Sequence, residues 1–235
     1  MLEVKGVTKK YKKLLANDDV SFELEDGAVG ILLGPNGAGK STILKSIAGL
    51  LRYSGEIKIG GFVNKTSQAR QILGFVPELP AMYPNLTMEE HMEFIARAYN
   101  LTDYKDKMDE LFKRFELEDK KRKFGDELSK GMQQKLSICC ALLTDPKFII
   151  LDEPLVGLDP HAIKELKKII AELKEQGTTV LISTHMIESV DMIWDKAFIM
   201  SKGKILKVVE KSVLDAENKS LEDEFFELTE GKDEE

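Results

Sequence analysis

Cysteine, tryptophan and histidine are scarce, at two, one and three among 235 residues. Cys139 and Cys140 are neighbours within an apolar segment, which excludes a disulfide framework and leaves two buried thiols of a reducing compartment, with no metal or redox role expected. Long hydrophobic runs are missing as well. The longest, such as 138–143, are core-sized and far short of the roughly 20 residues that cross a bilayer. The opening Met1-Leu2-Glu3-Val4-Lys5 has no signal-peptide apolar stretch, so a cytosolic chain that cannot cross a membrane by itself is expected. Nor is there an excess of positive charge. Net charge is −7, and residues 215–235 hold ten acidic and two basic side chains, against 31 acidic and 32 basic in residues 1–214. A near-neutral body with an acidic tail lacks the clustered Lys and Arg of a nucleic-acid footprint, and no nucleic-acid partner is expected. Internal repeats and low-complexity segments are also absent.

What is present begins with Gly34-Pro35-Asn36-Gly37-Ala38-Gly39-Lys40-Ser41-Thr42, a match to G-x-x-x-x-G-K-[ST] that follows the apolar run 28–33. The order of buried strand, glycine loop and helix builds a phosphate cradle. Glycines allow the backbone to turn successive N–H groups toward one anion, and the helix adds its positive end. Lys40 can reach the β- and γ-phosphates, and the Ser41 hydroxyl can ligate Mg²⁺.

With 43% hydrophobic residues the chain can bury a substantial core. Alternation at Leu2 and Val4, then at Val20, Phe22 and Leu24, predicts antiparallel strands with one wet face. Further strands are predicted at 55–59 and 74–76, with a helix over 40–51. Thr87-Met88-Glu89-Glu90 is a capping box opening a helix to about Asn100. A second helix spans 103–115, a solvated connection covers 116–123, and a third helix runs from Ser129 to just before Asp145-Pro146. Strand 148–151, helix 161–175, strand 179–182, a hairpin around Lys202-Gly203 and short helices at 211–217 and 220–228 follow. The fold class expected is α/β: a P-loop core with a mostly parallel sheet (1–78 and 147–210), an N-terminal antiparallel β-subdomain, a helical insert at 79–146 and an acidic tail at 211–235.

A Mg²⁺-nucleotide site needs an acidic partner at the end of a neighbouring buried strand, and Asp152 follows the apolar residues 148–151. Glu153 comes next and points elsewhere, free to orient or deprotonate an attacking water.

Together these motifs resemble the nucleotide-binding subunit of ATP-binding cassette (ABC) transporters. Leu128-Ser129-Lys130-Gly131-Met132-Gln133-Gln134 stands where that family has its LSGGQ-type signature, Gly157-Leu158-Asp159-Pro160 where it has its D-loop, and Ser183-Thr184-His185 ends at its switch histidine. Tyr11 lies where the family stacks an aromatic on adenine; taken alone it is equally a strand-edge aromatic. The resemblance implies ATP and Mg²⁺ as ligands, with Ser129, Lys130, Gly131 and Gln133 facing the γ-phosphate held by a second nucleotide-binding subunit, identical or not. His185 would then sense that phosphate, and Asp159 would contact the dimer partner. His91 and His161 match no motif and are expected at the surface.

Two motifs depart from the family pattern. Glu78 replaces the Q-loop glutamine, a carboxylate able to approach the metal at the cost of added negative charge near phosphate, and the signature carries Lys130 and Met132. With residues 220–229 these variants resemble the drug, sodium and antimicrobial-peptide exporter branch. That branch implies a separate membrane permease docking around residues 78–100, with this chain peripheral on the cytoplasmic face. Leu79, Met82, Tyr83 and Leu86 would form that surface or pack the insert's own core. The competing reading is a soluble ABC ATPase that acts in complex remodelling or cofactor assembly without a membrane partner.

Overall fold

A computed structural model describes residues 1–187 and 194–229. The chain opens with an antiparallel hairpin of β1 (Leu2–Tyr11) and β2 (Leu14–Leu24), which turns at Lys12 in the left-handed region. Next come β3 (Val29–Leu33) and α1 (Lys40–Ile47). The predicted helix over 40–51 ends early because Gly49 takes φ +74°. The Gly49 and Leu50 N–H groups then close a Schellman turn on the Ser46 and Lys45 carbonyls. β4 (Ser54–Ile59) pairs with the free edge of β1 and carries the short β5 (Phe62–Val63), completing a four-stranded sheet ordered β2-β1-β4-β5. β5 and the one-turn α2 (Ser67–Gln71), which Thr66 caps, are too short to leave a periodic signal.

β6 (Leu73–Val76) leads into three helices, α3 (Met88–Ala98), α4 (Lys105–Arg114) and α5 (Lys130–Leu143). Both halves of the Thr87–Glu90 capping box form. The segment expected as a solvated connection over 116–123 is mostly exposed, with Leu117 buried. It contains a 3₁₀ turn at Glu118–Lys120, and Lys121 pairs with Asp109 while its amine lies 5.3 Å from the Phe112 ring centre.

The sheet pattern resumes with β7 (Phe148–Asp152), α6 (Pro160–Glu175), β8 (Thr179–Thr184), β9 (Lys196–Ser201) and β10 (Lys204–Glu210), and α7 (Lys211–Glu217) and α8 (Leu221–Thr229) follow. The six-stranded sheet is ordered β10-β9-β3-β8-β7-β6 and is parallel except for the β9–β10 pair. β3, β7 and β8 are buried along their whole length, which is why their central residues read as apolar runs.

One face of this sheet, with Leu32, Phe148, Ile150 and Leu181, packs with Ile43, Leu44 and Ile47 of α1 and the inner face of the first sheet. The helix that follows the glycine loop is therefore fixed between two sheets. The other face packs on α3 to α6 through residues such as Met92, Phe112 and Leu136. Leu214, Leu221 and Phe225 of the C-terminal helices cover Ile31, Leu33 and Ile199. The acidic residues 230–235 lie outside the described residues. Among the described residues no helix is long and apolar enough to cross a membrane.

Candidate functional site

Strand register brings the chemistry to one sheet edge. Leu33 pairs with Thr184 and Asp152 with Ser183, so the glycine loop, the Asp152-Glu153 pair and His185 all leave the C-terminal ends of adjacent parallel strands.

At the loop, Gly37 and Gly39 have φ of +83° and +103°, a region closed to most side chains. A Cβ on Gly34 would sit 2.3 Å from the Met200 carbonyl oxygen, and one on Gly39 would sit 2.4 Å from that of Ala16. Pro35 and Asn36 are exposed at the loop tip, and Ala38 is buried. α1 begins without a side-chain cap, whereas α3, α5 and α6 begin on the capping oxygens of Thr87, Ser129 and Asp159. The first-turn N–H groups of Lys40, Ser41 and Thr42 have no acceptor within the helix, and with the helix dipole they favour an anion. Lys40 is buried. Its Nζ donates to the Gly34 carbonyl at 2.6 Å and to that of Pro35 at 3.3 Å, and it lies 3.6 Å from Glu153 Oε1. This amine can reach any anion in the loop.

Ser41 Oγ donates to Asp152 Oδ1 at 3.1 Å, and Ser183 Oγ donates to the same atom at 2.6 Å. Asp152 Oδ2 is buried with no hydrogen-bond partner among the described residues. Burial pushes the Asp152 carboxyl above its ordinary range, against the lowering effect of the Ser183 and Ser41 hydrogen bonds. A buried carboxylate oxygen without a donor, beside a serine hydroxyl, suits a small hard cation, so this pair fits Mg²⁺. Glu78 leaves β6 at the same sheet end, where Val76 pairs with Leu151, but its side chain is exposed and is not bonded to Ser41 or Asp152.

Glu153 sits at φ +47°, a conformation that a non-glycine residue adopts under constraint. Its N–H donates to Ser183 Oγ at 2.9 Å, and its Oε2 lies 3.0 Å from His185 Nδ1. One serine thus holds both the Asp152 carboxylate and the Glu153 backbone. A hydroxyl inside the apolar strand β8 was the sequence signal for Ser183, whose role sequence reasoning missed.

The remaining candidates stand apart. Tyr11 ends β1, 43% exposed, with Lys9 Nζ 4.7 Å from its ring centre. Ser129 caps α5, accepting the Met132 N–H at 3.3 Å, and Gln133 Nε2 donates back to the Leu128 carbonyl at 3.2 Å. Ser129 and Lys130 are exposed. Among the described residues no hydrogen bond or ion pair joins residues 129–133 to the glycine loop. Their partner within the chain is the segment after Glu153: a Cβ on Gly131 would be 2.7 Å from the Gly157 carbonyl oxygen, Gln134 donates to the Pro154 carbonyl, and Lys135 pairs with Asp159 at 2.6 Å.

His91 differs from expectation. It is buried, with Nδ1 2.7 Å from the Thr87 carbonyl and Nε2 accepting the Tyr83 N–H at 2.9 Å, which clasps the 79–86 loop to α3. His161 is exposed, 3.8 Å from Glu116. The clasped loop borders an apolar groove of about 430 Å³ lined by Leu50, Phe75, Met82, Tyr83 and Phe94. Tyr83 is exposed at the groove and Leu79 is exposed on the same loop outside its lining, whereas Met82 packs on the insert's core.

The sequence pattern of the family described as "ABC transporter" matches residues 17–156. The linearmycin resistance ATP-binding protein of Bacillus subtilis (strain 168) is 35% identical over 219 residues, 91% of this chain and 70% of that protein. A solved structure described as the ATP-binding subunit of an ABC transporter superposes with a TM-score of 0.91 at 35% identity, covering 97% of this chain and 99% of that one. An ATP-binding cassette solved as a dimer in a post-hydrolysis state with ADP and Pi superposes with a TM-score of 0.82 at 27% identity, over 89% of this chain and 98% of that one.

Proposed function

This chain belongs to the ABC transporter family of ATPases, and on that premise we propose that it powers a membrane exporter by closing as a dimer on ATP and reopening after hydrolysis. The observation that carries the reading is the convergence of Lys40, Ser41, Asp152, Glu153 and His185 at one sheet edge. In this reading Gly34 to Thr42 cradle the phosphates through backbone N–H groups, and the Lys40 amine turns from the Gly34 carbonyl to the β- and γ-phosphates. Tyr11 stacks on adenine. Ser41 and Asp152 are the residues that would hold Mg²⁺, which when bound supplies charge neutralisation for the transferring phosphoryl group. Glu153 orients a water and accepts its proton as the water oxygen bonds the γ-phosphorus and the bridging oxygen leaves with ADP. His185, held by Glu153, donates toward the γ-phosphate and reports its loss.

Ser129, Lys130, Gly131 and Gln133 complete the site of a second copy. Their separation from this chain's own loop, and the dimeric form of a cassette similar to this chain, support that assignment. Gln134 and Lys135 bind the segment after Glu153, which Gly131 approaches closely, so hydrolysis at one site is felt at the surface that completes the other. The resistance protein among the relatives supports export as the direction. A separate permease seated in the apolar groove, with this chain on the cytoplasmic membrane face, accounts for the exposed Tyr83 and Phe94. Purification of the tagged chain from detergent-solubilised membranes tests the reading. A co-purifying integral-membrane protein with several spanning segments is expected, and recovery only with soluble assembly factors contradicts it.

A further inference from the structure

Asn17 lies in β2, outside every motif, and is fully buried. Its Nδ2 donates to the Gly39 carbonyl at 3.2 Å, and the same oxygen accepts the Ile43 N–H at 3.0 Å. One residue earlier, the Ala38 carbonyl accepts the Gly203 N–H at 3.0 Å, and the Gly203 carbonyl accepts the Asp18 N–H at 2.9 Å. The two carbonyls preceding Lys40 are therefore both held from outside the loop, by β2 and by the β9–β10 turn. In a planar trans peptide the N–H points opposite the carbonyl, so fixing the Ala38 and Gly39 oxygens aims the Gly39 and Lys40 amides the other way, into the loop.

Asn17 Oδ1 is buried with no hydrogen-bond partner among the described residues. An unpaired buried acceptor is a cost that an apolar side chain of similar size avoids. Packing alone therefore favours leucine at this position, and the amide is explained by what its other end does.

We propose that Asn17 is a positioning residue for the phosphate loop: its hold on the Gly39 carbonyl sets the direction of the Lys40 amide and ties the loop to the hairpin that carries Tyr11. Because β1 and β2 pair across from Tyr11 and Leu14 to Lys9 and Asn17, the adenine end and the phosphate end of the site share one rigid element. The proposal rests on the reading of residues 34–42 as a nucleotide cradle.

The test measures MgATP affinity by titration calorimetry, kcat and KM for hydrolysis, and melting temperature for the wild-type chain, Asn17→Leu, Asn17→Asp and Lys40→Ala. Asn17→Leu is expected to melt no lower than wild type while binding ATP about tenfold more weakly, the effect of losing one hydrogen bond's worth of positioning, with KM rising accordingly. Asn17→Asp presents an acceptor to an acceptor at neutral pH. Its affinity relative to wild type should recover as pH falls toward the carboxyl's protonation, because the acid form regains a donor. A purely structural role gives no such recovery. Wild-type affinity in Asn17→Leu, a drop in its melting temperature that accompanies the affinity loss, or a pH-independent defect in Asn17→Asp overturns the proposal. If Asn17→Leu does not fold, Asn17→Asp decides, and failure of both to fold makes the residue structural and also overturns it. Unchanged ATP binding in Lys40→Ala would instead refute the cradle itself.

Discussion

Replacing Ser183 by alanine should separate the stability of the strand ends from their chemistry. The hydroxyl is fully buried, donates to the Asp152 carboxylate at 2.6 Å and accepts the Glu153 N–H at 2.9 Å. A hydrogen bond to a charged group is worth about 1.5–3 kcal/mol and a neutral one about 1 kcal/mol. The Glu153 N–H keeps part of its bond through the Ser183 carbonyl at 3.2 Å. The net loss should be about 2–4 kcal/mol, and for a chain of this size about 10 °C in melting temperature. Glu153 would lose part of what holds its left-handed backbone, so its carboxylate should drift and kcat should fall on the order of 10- to 100-fold, with a smaller change in KM. Scanning calorimetry and steady-state phosphate release measure the two effects. A melting temperature within about 1 °C of wild type, together with kcat within about twofold, would refute the reasoning.

Other substitutions probe the proposed metal pair and the subdomain seam. Because burial raises the Asp152 carboxyl, the fold favours its neutral form, and the ionised group weakens stability as pH rises from the ordinary Asp range through the raised value. Asp152→Asn should therefore melt no lower than wild type at neutral pH without nucleotide, yet lose both hydrolysis and the added stability from MgATP. Melting curves across pH, with and without MgATP, check this, and a lower-melting variant contradicts it. Arg114 of α4 holds Glu165 and, at 2.7 Å, Glu172 of α6, joining the helical insert to the parallel-sheet core. Arg114→Ala should cost about 2 kcal/mol by leaving two partly buried carboxylates together. The Arg114 hydrogen bond holds the Glu172 carboxyl below its ordinary range, so that contribution is present above the ordinary Glu range and fades as pH falls through the lowered value. Urea unfolding should show the variant's deficit at neutral pH and a smaller one in acid.

The parts of the site legible in the sequence are those set by local rules. The glycine loop follows an apolar strand, the Asp152-Glu153 pair ends another, and Thr87-Glu90 spells its own cap. The parallel core was legible for the same reason, because strands buried on both faces are apolar throughout. What escaped were polar residues whose partners lie far along the chain. Asn17 bonds Gly39 from 22 residues away, and Ser183 bonds Asp152 across 31. His91 matches no motif and is expected at the surface, but its face of α3 is turned to the Tyr83 loop. The early end of α1 was written in Gly49, whose left-handed turn outweighs the apolar residues beyond it.

In the proposed function ATP is the glue between two copies. Glu153→Gln should bind ATP without turning it over, and light scattering on a sizing column should show the 26.5 kDa chain doubling in mass with MgATP but not with ADP. A variant that binds MgATP and stays at single-chain mass, or that hydrolyses it at the wild-type rate, would contradict the account.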